Sequence, residues 1–144
     1  MRPAGPVGMA AEMPSQRFPA WARSIPDVRR YVTDLLDAGL MGQVPPQLCQ
    51  TAALLVSELA TNVVRHAGVG DYTVGVEFFP AEGRLWIGVT DTGPGQPVLR
   101  HPGATAENGR GLQLVSLLSD RWGAHRRRVA NEKTIWFELL LPTP

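Results

Sequence analysis

The chain has 144 residues, 44% of them hydrophobic, and its 14 basic residues nearly balance 13 acidic ones. This length and apolar content suit a single domain with a buried core, and the near-neutral charge provides no global field that would recruit nucleic acid or a membrane surface. The single cysteine excludes an internal disulfide, and no apolar run approaches the roughly 20 residues that span a bilayer. We therefore expect a soluble cytoplasmic protein, with no direct contact to nucleic acid or membrane, whose specificity comes from a local site.

The N-terminal half is predicted to contain a tail and two helices. Residues 1–16 are rich in Pro, Gly and Ala without periodicity, which predicts a flexible tail ahead of a single domain at 17–144. Apolar residues at helical spacing predict an amphipathic helix over 26–39, which begins at a proline and ends at a glycine. The same signals predict a second helix over 45–67.

The C-terminal half contains strand signals, one long loop and a third helix. Strands are predicted at 72–79, 84–91, 121–129 and 134–141, the first two as an antiparallel hairpin. Residues 96–110 carry Gly, Pro and polar residues and predict a long loop, after which helical spacing resumes at Leu112. This order predicts an α+β fold, a two-layer sandwich in which about three helices cover one face of a mainly antiparallel mixed sheet.

Three polar residues stand at intervals of four in the second predicted helix, namely Glu58, Asn62 and His66. Each step of four advances ~40° past a full helical turn, so these residues form a slanting row beside the apolar face. A solvated helix edge explains any one of them, but a row of three beside an apolar stripe needs hydrogen-bonding partners or a water-filled cavity. A ligand pocket over this helix would supply both.

A first glycine motif, TDTGPG at 90–95, places Asp91 at a strand end before Gly93 and Gly95. A simple turn explains this pattern. It is also explained by a carboxylate that accepts a hydrogen bond from a flat ligand while the glycine backbone approaches that ligand closely.

A second glycine motif, ENGRGLQLV at 107–115, leads through Gly109 and Gly111 into a helix. Free backbone N–H groups and the positive end of the helix dipole at such a junction are typical of phosphate binding. Any helix that follows a flexible loop has the same appearance.

Other chemistries have little support in the sequence. The chain contains neither a P-loop nor the GxGxxG pattern of dinucleotide binding. His66, His101 and His125 lack metal-ligand spacing, and no Ser/His/Asp arrangement is present. Packing explains Cys49, and an exposed strand with a basic edge explains the run HRRR at 125–128.

Three motifs occur together in this sequence: ExxxNxxxH in a helix, DxGxG at the end of a strand, and GxG at a helix N-terminus. This combination resembles the nucleotide-binding fold shared by DNA gyrase, heat-shock chaperone, mismatch-repair and histidine-kinase ATPases. The resemblance covers about residues 45–141. The short length, the extension at 17–44 and the sequence KTIWF at 133–137 look most similar to the anti-sigma factor serine/threonine kinases of bacterial stress-response and sporulation switches.

The resemblance implies roles for the first two motifs. Asn62 would hold Mg²⁺ through its side-chain oxygen, and Glu58 would be the base that activates a hydroxyl for attack on the γ-phosphate of ATP. His66 would lie near the phosphates. Asp91 would accept a hydrogen bond from the exocyclic amine of adenine.

The resemblance also assigns the surroundings of the nucleotide. Gly93 and Gly95 would lie against the base, and Thr134 would lie near the adenine pocket. The N–H groups that surround the phosphates would be those of Gly109, Arg110, Gly111 and Leu112. The loop 96–108 would be the lid over ATP, with Arg100 and Arg110 as the cationic candidates.

The function implied is an ATP-dependent regulator that sequesters a sigma factor, phosphorylates a small anti-anti-sigma antagonist and forms a homodimer through its N-terminal helix region. One alternative is a non-catalytic ATP-binding interaction module, which would not need a carboxylate at Glu58. The other is a detached ATP-binding domain of a sensor histidine kinase, which is disfavoured because residues 1–57 contain no histidine and no paired long helices.

Overall fold

A computed structural model of the chain describes residues 13–37, 44–66, 70–92, 106–128 and 130–142, and of residues 106–111 it describes the backbone alone. In this part of the chain five strands form one sheet and three α-helices pack against it. The strands are β1 (Ser15–Pro19), β2 (Asp71–Phe79), β3 (Arg84–Asp91), β4 (Arg121–Arg127) and β5 (Glu132–Leu140). The helices are α1 (Ile25–Asp37), α2 (Pro46–His66) and α3 (Ala106–Leu118).

The sheet has the strand order β1-β2-β3-β5-β4, and every pair of neighbours is antiparallel. Alternate residues of the central strands, such as Val74, Ile87 and Phe137, face the helices and form one core with them. The predicted α+β two-layer sandwich is therefore confirmed. No helix in the described ranges is long and apolar enough to cross a bilayer.

Strand β1 was not predicted from the sequence. It has five residues, ends at a proline and lies at the edge of the sheet, and only Phe18 among its residues is buried. A strand with one buried side chain has no alternating pattern to detect. The ordered domain consequently begins before Arg17, because Ser15 and Gln16 already pair with β2.

Helix α3 begins at Ala106, within the stretch that the sequence predicted as loop. Gly109 and Gly111 cause this difference, since each glycine disfavours a helix by about 1 kcal/mol relative to alanine. Burial of Leu112 and Val115 in the core offsets that penalty. The part of the predicted lid at 96–105 lies outside the described residues.

The face of the sheet away from the helices is covered by its own tryptophans. Trp86 and Trp136 are only 3% and 5% exposed, although no helix in the described chain covers them. Their rings lie over Gly88 and Gly123, where a Cβ atom would come within 2.9 Å of Trp86 Cζ2 and 2.7 Å of Trp136 Cζ2. The glycines thus provide the space in which the large rings lie flat on the sheet.

This packing predicts that Gly88→Ala lowers the free energy of unfolding by about 1–3 kcal/mol, because the added methyl group collides with the buried indole ring of Trp86. The matched control is Gly75→Ala, directly opposite Gly88 in the sheet. A methyl group there meets the flexible end of Met13 at 3.0 Å, so its cost is expected to be smaller. Denaturant unfolding measures both, and equal losses would contradict the explanation.

Candidate functional site

Helix α2 places the predicted polar row at the border of the core. Its buried residues include Leu55, Leu59 and Val63, which pack against the sheet. Glu58 and Asn62 are partly buried and His66 is exposed. The row therefore runs from the edge of the core outward to solvent, and its first two members can contact a ligand that lies over the helix.

Asp91 is a buried carboxylate at the end of β3, with 6% of its surface exposed. It has the same alternation as Ile87 and Val89, which places it on the helix-facing side of the sheet. Asp91 also lies at the wall of a polar cavity of about 290 Å³. The other residues that line this cavity are Arg17, Asp71, Thr73, Thr90, Thr92 and Glu132. Thr73, Thr90 and Glu132 alternate with the helix-facing residues, so this cavity lies mainly toward the helix-free face and Asp91 borders it at the strand end.

A row of cross-strand neighbours surrounds Asp91 on the same face. Tyr72 of β2 lies opposite Asp91 on one side and Lys133 of β5 on the other, and Arg126 of β4 lies opposite Lys133. The hydroxyl of Tyr72 is 2.6 Å from the Ser24 hydroxyl, so the tyrosine is tied to the segment before α1. Burial raises the pKa of this tyrosine, which keeps it neutral. The charged neighbours of Asp91 in the row therefore come from β5 and β4.

Lys133 is a residue of this site that the sequence did not single out. Its Nζ lies 3.9 Å from Asp91 Oδ1, and the two side chains are 9% and 7% exposed. The alternating pattern of β5 could have predicted its position. Ile135, Phe137 and Leu139 are core residues, and position 133 lies on the same face of the strand. The predicted strand began one residue too late to include it.

Thr134 projects from the opposite face of the sheet. Its hydroxyl lies 2.7 Å from that of Thr90, its direct partner on β3. The structure therefore does not bring the Thr134 and Asp91 side chains to the same face. The register pairs Asp91 with Lys133 and Thr90 with Thr134, so Lys133 is the residue of β5 directly opposite Asp91.

The predicted phosphate-binding residues lie inside helix α3. They are Gly109, Arg110, Gly111 and Leu112, whereas Gly93 and Gly95 lie outside the described residues. In any helix the first four N–H groups lack an intrahelical acceptor. Since α3 begins at Ala106, those groups extend only to Gly109. The other three predicted donors belong to the second turn, and the side chain of Leu112 is buried in the core.

Cys49 is a packing residue of α2. Burial raises the pKa of its thiol, and nearby Asp37 raises it further. A thiol that is harder to ionise is a poorer nucleophile. This agrees with the packing role predicted from the sequence.

Comparison with known proteins identifies the family. Residues 18–139 match the histidine kinase-like ATPase domain, and the chain belongs to that family. An uncharacterised protein of Streptomyces coelicolor is 40% identical over 75 residues, which cover 50% of this chain and 70% of that relative. The domain is expected to bind ATP.

The residues at the strand end fit an adenine nucleotide. An ionised carboxylate only accepts hydrogen bonds, and the exocyclic amine of adenine donates them. Asp91 supplies that acceptor from a buried position, where a hydrogen bond is stronger than in water. On α2, the partly buried Glu58 and Asn62 remain the predicted contacts for the rest of the nucleotide.

We predict that Asp91→Asn weakens ADP binding on the order of 10- to 100-fold, because the variant loses a charge-assisted hydrogen bond. Asp37→Asn is the matched control, since it makes the same chemical change at an exposed carboxylate at the end of α1. Isothermal titration calorimetry measures both. Equal affinities for ADP in the two variants would remove Asp91 from the base-binding site.

Proposed function

We propose that this chain is an ATP-binding regulator of a bacterial partner-switching system, acting as an anti-sigma factor and as a serine/threonine protein kinase in the cytoplasm. The observation that supports a kinase most directly is the placement of Glu58 and Asn62 one helical turn apart, both partly buried at the border of the core. One turn corresponds to a rise of ~6 Å. At that separation, Glu58 serves the incoming hydroxyl group and Asn62 serves the metal ion at the phosphates.

Each residue has a chemical task in this proposal. Glu58 accepts the proton of the incoming Ser or Thr hydroxyl, and Asn62 offers its amide oxygen to Mg²⁺. A single protein ligand suits Mg²⁺, which is commonly bound through one or two protein oxygens together with substrate phosphates. When bound, Mg²⁺ neutralises negative charge on the phosphates, which phosphoryl transfer requires. His66, at the exposed end of the row, lies on the solvent side of the metal ligand.

The proposed partners are a sigma factor, a small anti-anti-sigma antagonist and a second copy of the chain. Strand β1 lies at the edge of the sheet. Beside it, a groove of about 550 Å³ separates β1 from α1, and residues such as Phe18, Tyr31, Asp27 and Arg30 line it. An edge strand beside a groove of mixed charge supports a homodimer through the N-terminal region.

The competing proposal is a non-catalytic ATP-binding module that engages partners without phosphorylating them. An adaptor of this kind uses Asn62 and Asp91 but needs no base at Glu58. The two proposals therefore differ in a single measurable property, which is transfer of the γ-phosphate.

For a kinase, we predict that Glu58→Gln keeps Mg·ATP affinity but slows phosphotransfer by about 10²–10⁴-fold, as expected when a general base is removed. The assay is incorporation of labelled γ-phosphate into a small protein that co-purifies with the chain from its source cell, with nucleotide affinity measured in parallel. Glu82→Gln is the matched control, because it changes an exposed glutamate in the turn between β2 and β3. Normal transfer by Glu58→Gln would place the base elsewhere.

Asn62→Ala is predicted to behave differently, since loss of the oxygen ligand weakens Mg²⁺-dependent nucleotide binding and phosphotransfer together. The measurement is ATP affinity with and without Mg²⁺, beside the same transfer assay. If the unmodified chain binds ATP well and transfers no phosphate to a confirmed partner, the adaptor proposal replaces the kinase proposal.

A further inference from the structure

Helix α2 exposes a leucine along a stretch where its polar residues are partly or fully buried. Between residues 51 and 64, Leu54 is the only exposed residue of the helix, with 41% of its surface accessible. Its neighbours Leu55 and Val56 lie in the core, whereas Leu54 does not. Glu58 and Asn62 are both less exposed than this leucine. A leucine in solvent beside polar residues that are withdrawn from it reverses the usual pattern of an amphipathic helix.

Leu54 belongs to the same row as the two residues proposed for phosphotransfer. Steps of four lead from Leu54 to Glu58 and on to Asn62, so each residue lies one turn, ~6 Å, from the next. In the proposed reaction Asn62 holds the metal at the phosphates, and Glu58 accepts the proton of the incoming hydroxyl. The phosphates therefore lie on the Asn62 side of Glu58. Leu54 lies on the other side, from which the incoming hydroxyl approaches.

The surface of α2 around Leu54 is open and uncharged. Gln50 and Gln47, which precede Leu54 by about one and two turns on the same side of the helix, are also exposed. Residues 46–57 contain no charged side chain, although charged residues are common on protein surfaces. Lack of charge around an exposed apolar residue is typical of the centre of a protein–protein contact. We call the surface formed by Gln47, Gln50 and Leu54 the Leu54 surface.

We infer that the Leu54 surface docks the protein that supplies the Ser or Thr hydroxyl, and that this protein presents an apolar side chain to Leu54. The phosphates of ATP have no apolar surface to bury against a leucine, whereas the surroundings of a serine or threonine in a protein do. The apolar side chain of the acceptor lies about one helical turn, ~6 Å, from its hydroxyl, because Leu54 is that far from Glu58. This inference rests on the proposed kinase function, in which Leu54 is a docking residue and not a catalytic one.

The test separates docking from chemistry by steady-state kinetics. The probe is the small co-purifying protein that takes up labelled γ-phosphate in the transfer assay, used at concentrations below and above its KM. Leu54→Ala is expected to raise the KM for this protein on the order of 10-fold without lowering kcat, as when an anchoring side chain is truncated. Leu54→Met, which keeps a similar apolar surface, is expected to retain the KM of the unmodified chain.

Leu140→Ala is the matched control. Leu140 is 50% exposed and alternates with the core residue Leu139, so it lies on the helix-free face of the sheet. The same truncation at this position is expected to leave the KM for the acceptor unchanged. Thermal unfolding checks that both alanine variants fold, which is expected because each removes an exposed side chain and alanine is a good helix former at position 54.

A double-mutant cycle identifies the matching side chain on the acceptor. Exposed apolar residues near the phosphorylated Ser or Thr of the acceptor are replaced by alanine one at a time, and each variant is assayed with the unmodified chain and with Leu54→Ala. Replacement of the residue that contacts Leu54 is expected to raise the KM with the unmodified chain and to have a much smaller effect with Leu54→Ala. If no replacement is coupled to Leu54 in this way, the inference is contradicted.

The outcomes separate this inference from the proposed function. If Leu54→Ala keeps the KM of the unmodified chain, or lowers kcat without a change in KM, Leu54 does not dock the acceptor and only this inference is wrong. If Leu54→Ala and Leu140→Ala raise the KM equally, the effect is not specific to the Leu54 surface, and the inference is again wrong. If the unmodified chain transfers no phosphate to any co-purifying protein, the proposed kinase function fails, and the inference fails with it.

Discussion

The register between β3 and β5 determines which side chains meet at the candidate site. Side chains of a strand alternate between faces, so a slip of one residue would exchange Lys133 for Thr134 beside Asp91. The core prevents such a slip, because it would also move Ile87 and Phe137 out of contact with the helices. The packing of apolar residues in the middle of the sheet thus fixes the chemistry at its end.

The same alternation gives the sheet two different faces. One face buries a common core with α1, α2 and α3, and the border of that core is where Glu58 and Asn62 lie. The other face buries two indole rings over glycines and needs no covering helix in the described chain. The polar row of α2 borders the core on the helix side, and Asp91 lies on the helix-facing side of the sheet at the end of β3.

Much of the fold and part of the site could be predicted because they depend on local sequence patterns. The helices near 26–39 and 45–67 and the β2–β3 hairpin follow from periodicity, and Asp91 follows from its place after an alternating strand. Strand β1, the start of α3 and the role of Lys133 could not be predicted in this way. Each depends on a partner distant in the chain, namely β2 for β1, the core contacts of Leu112 for α3, and the register of β3 for Lys133.

The two buried carboxylates of the sheet show how one type of residue serves stability or function according to its partner. Glu138 has its cation in direct contact, and both members of the pair have a second charged neighbour, Arg121 for Glu138 and Glu82 for Arg84. Asp91 has Lys133 as its neighbour on β5, with Lys133 Nζ 3.9 Å from Asp91 Oδ1. The register of β3 and β5, which the surrounding core enforces, thus decides which charged residue lies beside Asp91.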